Sequence, residues 1–265
     1  MNTVIGLLII AIGAFCQSSS YVPINKIRKW SWESYWLIQG VFAWLIFPIL
    51  GALLAVPQGH GLFELYAAAP KESFLTMFFG VLWGVGGLTF GLSMRYLGVA
   101  LGQSIALGTC AGLGTIMGPV LLNIFFPELD ALSSLTAAVI IGVVTTLAGI
   151  AIIGIAGGMK SASLSEEEKK EAVKDFNFPK GLAIALLAGF MSGCFNVGLE
   201  FGKELNFGEL TDPMFRTLPA TLLVTVGGFL TNACYCIFQN VRNRTFTDYK
   251  DGKLWASNIF FCALA

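Results

Sequence analysis

Charged residues divide this chain into long apolar runs. Seven runs of 19 or more residues contain no Asp, Glu, Lys or Arg: 1–25, 34–63, 73–94, 96–127, 131–159, 181–199 and 217–241. A helix of about 20 apolar residues crosses the hydrocarbon core of a bilayer. Nothing alternates with period two, as β-barrel strands would. The pattern therefore predicts an all-α integral membrane protein, a polytopic helical bundle with at least seven spanning helices.

An eighth apolar segment, 254–265, has 12 residues. At helical rise these residues cover about 18 Å, which is less than the membrane core. We therefore expect the 265 residues to be part of a longer chain, and we expect this part alone not to transport.

The hydrophilic segment 160–180 divides the spans into a first repeat, 1–159, and an incomplete second repeat, 181–265. Shifting the sequence by 175 residues matches five identical residues in 17 positions between 6–22 and 181–197. An odd number of helices per repeat inserts the second copy in the opposite orientation. We therefore expect two inverted five-helix repeats, with ten helices and about 350 residues in the full chain. Segment 160–180 is then a cytoplasmic linker, with a short surface helix near 165–171.

Composition agrees with a membrane location and excludes several functions. Only 12% of the residues are charged and the mean hydropathy is +0.74, whereas soluble proteins carry about 25% charged residues. The net charge of zero leaves no basic patch for a nucleic acid. The single histidine, His60, does not allow a multi-histidine metal site. We predict no metal, no cofactor, no nucleic-acid partner and no catalytic centre.

Small and aromatic residues inside the runs have packing interpretations. The six cysteines contain no Cys-x-x-Cys pair, and we interpret them as core residues. Glycines at GxxxG spacing between 80 and 118 allow close helix packing, or form smooth seams along which one bundle moves against another. Trp30, Trp32 and Trp36 flank the first inner loop, where we interpret them as interface anchors.

The distribution of basic residues predicts the orientation. With the N-terminus outside, 13 of the 16 Lys and Arg residues lie in inner loops, and only Lys71, Lys203 and Arg216 lie outside. Positive residues favour the cytoplasmic side. The charge bias therefore predicts a multi-pass membrane protein with its N-terminus outside.

Polar residues inside four runs follow helical spacing. Unpaired polar groups are costly in hydrocarbon, so such stripes face a partner or a cavity. The seventh run carries a long stripe, the sixth a shorter one, and the first and fourth contribute further polar positions. The stripes are Thr221, Thr225, Gly228, Asn232, Tyr235 and Gln239; Ser192, Asn196 and Glu200; Gln17 and Tyr21; and Ser104, Gly108, Thr115 and Gly118 beside Gln103.

Four such stripes favour a wet central cavity. Amides and hydroxyls together with an indole suit a neutral polyhydroxylated ligand, because a sugar stacks on the ring and hydrogen-bonds to the amides. The alternative for each residue is hydrogen bonding between helices. We predict these substrate-binding residues: Gln17, Tyr21, Trp83, Gln103, Asn196 and Asn232.

Glu200 is the only acid clearly inside a predicted span. It has two interpretations. Lys203 follows one turn later, so the two residues can form an ion pair near the outer surface. Alternatively, Glu200 is the proton-coupling residue of a transporter.

Several short motifs resemble a known family. They are Lys29-Trp30-Ser31-Trp32-Glu33, Trp83-Gly84, Gly91-Leu92-Ser93-Met94-Arg95-Tyr96-Leu97-Gly98, Phe176-Asn177, Lys180-Gly181-Leu182, Asp212-Pro213 and Leu218-Pro219. Together they resemble the L-rhamnose/proton symporter family of the drug/metabolite transporter superfamily, over all 265 residues. The resemblance implies a ten-helix inner-membrane carrier that imports a deoxysugar with a proton.

Three functions remain open from the sequence. The first is a proton-coupled importer of L-rhamnose or a related 6-deoxyhexose, with sodium as an alternative coupling ion. The second is a carrier or exporter of another small metabolite with the same fold. The third, a membrane-embedded enzyme, lacks the paired acids or histidines near an interface that such chemistry uses. The oligomeric state does not follow from the sequence.

Overall fold

The computed structural model describes residues 3–19, 21–163, 176–250 and 252–265. Within these ranges the chain forms ten helices and no strand, besides short 3₁₀ turns. The helices are α1 Thr3–Ser19, α2 Tyr21–Ile24, α3 Trp32–Leu53, α4 Leu62–Ala68, α5 Pro70–Leu97, α6 Val99–Phe125, α7 Ala137–Ser163, α8 Phe178–Phe201, α9 Leu218–Asn243 and α10 Gly252–Leu264. Helix α3 contains a π-helical segment, Val41–Ile46.

Six of the helices are long and apolar enough to cross a membrane: α3, α5, α6, α7, α8 and α9. They correspond to six of the seven apolar runs, which confirms a helical membrane protein. The remaining run, 1–25, forms α1 and α2, and α1 has 17 residues. An apolar helix also forms over the short eighth segment.

Local sequence signals explain where the long helices begin and end. Proline occupies the first turn of α5, α8 and α9, where its missing N–H leaves no helical bond unmade. The Asn177 side chain caps α8 by accepting a hydrogen bond from the Lys180 amide at 3.1 Å. Gly98 ends α5 at φ 81°, and Arg244 ends α9 in the left-handed conformation at φ 58°.

The long helices pack side by side around α5 and α8. Helix α8 contacts both α5 and α6, while α7 contacts the free side of α6. On the other side, α9 contacts α5, and α3 and then α10 pack beyond α9. Helices α8 and α9 therefore carry their polar stripes to different neighbours, α8 to α6 and α5, and α9 to α5 and α3.

Glycine allows the closest of these crossings. At Gly84 in α5, an added Cβ would lie 2.7 Å from the Thr231 Cβ and 2.8 Å from the Gly228 carbonyl oxygen of α9. Both distances are shorter than any ordinary carbon contact, so a side chain here would force the helices apart. The packing interpretation of the glycine pairs is confirmed at this crossing.

Two interpretations from the sequence require correction. Trp30 is only 9% exposed and packs edge-on against Tyr249, and Trp36 is partly buried between helices, so neither lies free at an interface. Cys16 and Cys234 are exposed, whereas Cys194, Cys236 and Cys262 are buried in the core as expected. A cysteine within an apolar helix can face either the lipid or the core, and composition alone does not distinguish the two.

The domain division and the linker remain predictions. Helix α7 continues to Ser163, so its last turn lies within the predicted linker, 160–180. Helix α8 begins at Phe178, before the predicted linker ends. The surface helix expected near 165–171 lies outside the described residues.

Candidate functional site

The Asn232 amide lies at the point where α3, α5 and α9 meet. Its Oδ1 accepts a hydrogen bond from the Trp36 indole Nε1 at 3.0 Å. Its Nδ2 donates to the carbonyl oxygens of Gly84 at 3.3 Å and Gly228 at 2.9 Å. Asn232 is 4% exposed. Both ends of this amide are therefore occupied by protein groups, and the side chain links three helices.

Aromatic rings extend from this amide through the bundle. We define the aromatic row as Trp32, Trp36, Trp44, Trp83 and Phe195. Successive ring centroids lie 5.6, 5.7, 5.9 and 4.9 Å apart; the first pair is stacked and the others meet edge to face. Such pairs stabilise one another beyond simple burial. The row connects α3, α5 and α8, and Trp83 lies near its α8 end.

A separate cavity of about 330 Å³ opens between α6, α8 and the segment before α7. Polar groups come from Thr115, Ser134, Asn196 and Glu200, and the remaining wall is apolar. The apolar wall consists of Gly114, Pro119, Leu135, Val139 and Leu199. A cavity with few polar groups in an apolar wall is the usual form of a small-ligand site.

Asn196 differs from Asn232 in its partners. It is exposed, and in the part of the chain that the structure describes its amide makes no hydrogen bond. A Cβ built on Gly114 of α6 would lie 2.9 Å from its Nδ2, so the amide lies directly against α6. Asn196 therefore offers one acceptor and two donor hydrogens to a ligand.

Glu200 lies one helical turn beyond Asn196 in the same cavity. Its side chain is 42% exposed, and Oε2 is 4.0 Å from Nζ of Lys203, whose own side chain is 69% exposed. A pair at this distance between exposed groups contributes little stability. The carboxylate is therefore accessible from the cavity and only loosely held by the lysine.

The predicted site residues lie in different places. Trp83 and Asn232 belong to the region where α3, α5 and α9 meet, whereas Asn196 and Glu200 belong to the cavity. Gln103 is partly buried near the start of α6. Gln17 and Tyr21 lie in α1 and α2, but their side chains are outside the described residues. The structure thus brings together two pairs among the seven predicted site residues, and it keeps these two pairs apart.

The hydroxyls of the α9 stripe bond within their own helix. Thr221 donates to the Thr217 carbonyl at 2.9 Å, and Thr225 donates to the Leu222 carbonyl at 3.0 Å. Threonine commonly satisfies itself in this way inside membrane helices. Helical spacing alone therefore does not make this stripe the wall of a wet cavity.

Sequence reasoning missed three residues of these two regions. The sequence pattern predicts an interface position for Trp36 and no site role for Trp44 or Ser134. The Trp36 partner is 196 residues away in sequence, so no local pattern indicates it. Ser134 lies in the 3₁₀ turn Ala131–Ser134, which folds back against α6. Residue spacing within a helix does not predict such a contact.

No group of three or more His, Cys, Asp or Glu side chains that could hold a metal ion occurs within the described ranges. His60 lies beside Glu64, with Nδ1 3.3 Å from both carboxylate oxygens, on an exposed segment between α3 and α4. The pair is solvated and far in sequence from either polar region.

Comparisons with known proteins identify relatives of the whole chain. The family model described as L-rhamnose-proton symport protein (RhaT) matches residues 1–265. A protein of Cronobacter sakazakii named L-rhamnose-proton symporter is 33% identical over 267 residues, which cover 98% of this chain and 74% of the relative. Proteins of the same name from Yersinia pestis and Yersinia pseudotuberculosis are 30% identical over 274 residues, covering 99% of this chain and 76% of each relative. No solved structure matches the chain.

Proposed function

We propose the function of this chain from the premise that it belongs to the L-rhamnose-proton symport protein family. The protein is a secondary active transporter, not an enzyme, and it imports L-rhamnose or a related 6-deoxyhexose together with a proton. The observation that carries this proposal is the match of the family model over residues 1–265. Its substrates are thus the sugar and the proton, and its environment is the lipid bilayer.

The superfamily, the repeat architecture and the orientation in the membrane are part of the same proposal. We place the chain in the drug/metabolite transporter superfamily, with two inverted five-helix repeats that alternate access to a site between them. We also place it in the bacterial inner membrane with its N-terminus outside. The distribution of basic residues supports this orientation, and the five apolar runs before segment 160–180 support the inversion.

The cavity beside Asn196 is the proposed sugar site. Its volume of about 330 Å³ lies at the lower end of the range for small-ligand pockets, about 300–1,000 Å³, as a monosaccharide requires. Asn196 hydrogen-bonds the sugar hydroxyls, and the Thr115 and Ser134 oxygens accept further hydrogen bonds. Leu135 and Val139 contact the methyl group that distinguishes a 6-deoxyhexose.

The other predicted residues take different roles in this proposal. Asn232 positions Trp36 and does not contact the sugar, because its amide is already fully hydrogen-bonded. Trp83 contacts Phe195 and thereby supports α8, the helix that carries Asn196. Gln103, Gln17 and Tyr21 remain proposed substrate contacts in another state of the transport cycle.

Glu200 is the proposed proton carrier. Its carboxylate lies in the same cavity as Asn196 and is open to water, so sugar and proton bind side by side. At about 2.3 kcal/mol per charge per 100 mV, one proton crossing roughly 150 mV supplies about 3.5 kcal/mol. At about 1.4 kcal/mol per decade, this energy supports roughly 300-fold accumulation of a neutral sugar.

Uptake of radiolabelled L-rhamnose tests the proposal. Cells expressing the intact protein should accumulate the sugar above its outside concentration, and a protonophore should reduce accumulation to equilibration. L-arabinose, which lacks C6 and differs in the configuration of one hydroxyl group, should compete poorly. Rhamnose that only equilibrates in energised cells would contradict proton coupling, and an absence of rhamnose entry would contradict the substrate.

A further inference from the structure

A dense hydrogen-bond network joins the start of α3 to a segment more than 200 residues later. At its centre is the carboxylate of Asp248, in the 3₁₀ turn Thr245–Lys250 after α9. Its Oδ2 accepts hydrogen bonds from the Ser31 amide at 2.8 Å, the Ser31 hydroxyl at 2.7 Å and the Ser34 hydroxyl at 2.8 Å. Ser31 immediately precedes α3, so a carboxylate from a distant segment caps this helix, where negative charge is favourable.

A second layer lies behind Asp248. Oδ1 of Asn240, which is fully buried, lies 3.0 Å from the hydroxyl oxygens of both Ser34 and Thr245. Each hydroxyl has a single hydrogen, which Ser34 shares between Asn240 and Asp248 and Thr245 shares between Asn240 and Glu33. Oε1 of Glu33 accepts hydrogen bonds from Asn243 and Thr245, both at 2.9 Å. Ser34 belongs to both layers, and Thr245 links Asn240 to Glu33 within the second, so all these groups form one connected network.

The network also includes the segments around it. The Tyr249 hydroxyl donates to the Ser34 carbonyl at 3.1 Å. The Asn258 amide of α10 is paired with both backbone groups of Arg28, at 2.9 and 3.2 Å. The segment that leads into α3, the end of α9 and the middle of α10 are thereby joined by hydrogen bonds, beside the edge-on contact of Trp30 with Tyr249.

Burial and hydrogen bonding act in opposite directions on Asp248. Partial burial raises the pKa of its carboxyl, but the hydrogen bonds from Ser31 and Ser34 lower it by more, so the net pKa lies below the usual value. The group is therefore ionised at neutral pH, and its hydrogen bonds are charge-assisted and strong.

We propose that Asp248 is the positioning residue of an inner latch that holds the start of α3 against the end of α9 and opens when the transporter faces the cytoplasm. The proposal rests on the proposed transport function and on the predicted orientation, which places these helix ends on the inner side. Hydrogen bonds suit a contact that must reopen, because water can replace each of them at a partly exposed site. Apolar contacts have no such substitute.

Two native thiols lie beside the latch and can report its opening. Cys236 is fully buried and precedes Asn240 by one helical turn. Cys262 of α10 is 1% exposed, with its thiol 3.7 Å from the Tyr35 carbonyl. Separation of α3 from α9 would expose both. Cys194, buried in α8 among apolar side chains away from the latch, serves as a control thiol.

The experiment measures labelling of the intact protein by a membrane-impermeant maleimide in inside-out vesicles. Variants retain only Cys236 or only Cys194. Asp248→Asn should accelerate labelling of Cys236 by about tenfold to a hundredfold, the shift expected when charge-assisted hydrogen bonds are lost. Tyr249→Phe removes one neutral hydrogen bond and should give a smaller increase in the same direction. Asp212→Asn, at an exposed outer carboxylate that accepts one backbone hydrogen bond, is the matched control and should change nothing.

Each result has a defined meaning. Cys236 that reacts no faster in Asp248→Asn would overturn the latch, and so would equal acceleration at Cys194, since that indicates general unfolding. In the otherwise unchanged protein, L-rhamnose should alter the Cys236 rate, which purely structural hydrogen bonds would not do. If Asp248→Asn accelerates labelling but L-rhamnose changes the Cys236 rate at no concentration while the same protein accumulates the sugar, the contact is structural and the latch is overturned. If the sugar is not accumulated either, the proposed substrate fails.

Discussion

Asn232 and Asn196 carry the same side chain in two different polar stripes, yet the structure uses them differently. Asn232 is buried, and its amide makes three hydrogen bonds to α3, α5 and its own helix. Asn196 is exposed, lies in a cavity with Glu200, and makes no hydrogen bond within the described part of the chain. The first amide holds helices together, and the second is available to a ligand.

The neighbouring helix decides between these two roles. Beside Asn232, α3 supplies an indole donor and two glycines bring carbonyl oxygens within reach. Beside Asn196, α6 presents Gly114, which brings no polar side chain. A polar residue in a membrane helix is thus a binding candidate only where the facing helix leaves its hydrogen-bonding groups unused.

The largest expected effect concerns Glu200 on the cavity side. Glu200→Gln keeps the shape but removes the exchangeable proton, so accumulation should fall from roughly 300-fold to equilibration, while rhamnose exchange down its gradient continues. Lys203→Gln, which removes the partner of the ion pair, is the matched control and should retain accumulation. Uptake by right-side-out vesicles measures both, and full accumulation by Glu200→Gln would return Glu200 to a simple surface ion pair.

Replacing each asparagine by alanine should separate binding from stability. Asn196→Ala should weaken rhamnose transport by about tenfold to a hundredfold, because sugar hydroxyls lose their partner, and should leave the melting temperature in detergent unchanged. Asn232→Ala should do the reverse, lowering the melting temperature while the protein that remains folded transports with an unaltered KM. Equal changes of KM in the two variants would remove the distinction between the two regions.

Two glycines offer the same test without replacing either asparagine. Gly84→Ala should destabilise the fold by about 1–3 kcal/mol, because its Cβ would meet the backbone of α9. Gly114→Ala should cost less stability, because the nearest atom to its Cβ is the movable Asn196 Nδ2 at 2.9 Å. Displacement of that amide should instead raise the KM for rhamnose. Denaturation in detergent and uptake kinetics measure the two effects, and a more stable Gly84→Ala than Gly114→Ala would contradict the packing.

The smallest expected effect is that of Trp36→Phe. The change keeps an aromatic ring between Trp32 and Trp44 but removes the N–H that donates to Asn232. A hydrogen bond between membrane helices contributes about 0.6–2 kcal/mol, so a modest fall in stability is expected. In a protein that already carries Asn232→Ala, Trp36→Phe should lower the stability by less than it does alone. Fully additive effects would show that the two groups do not interact.

The sequence predicted the spanning helices well because their signal is local. The apolar run 217–241 corresponds to helix α9, Leu218–Asn243, and the run 181–199 corresponds to helix α8, Phe178–Phe201. The helices extend a turn beyond some runs because charged residues such as Lys180 and Arg242 are tolerated near the membrane surface.

The site was less predictable because it depends on which helices become neighbours. Periodicity predicts one face for Asn196 and Glu200, which line one cavity in the structure. It also groups Asn232 with them, whose amide is bonded to protein groups elsewhere in the bundle. The hydrogen-bond donor to Asn232 is the Trp36 indole. The acceptor of the Ser31 hydrogen bonds is the Asp248 carboxylate, 217 residues away. Contacts between such distant segments follow from helix packing, which apolar runs alone do not determine.

The most direct test of the central claim follows the pH of a lightly buffered suspension of de-energised cells that express the intact protein. Adding L-rhamnose should alkalinise the medium, because each sugar that enters takes a proton with it. Asn196→Ala and Glu200→Gln should each abolish the pH change, while Lys203→Gln should retain it. Rhamnose entry that depends on sodium and produces no alkalinisation would contradict proton symport through this cavity.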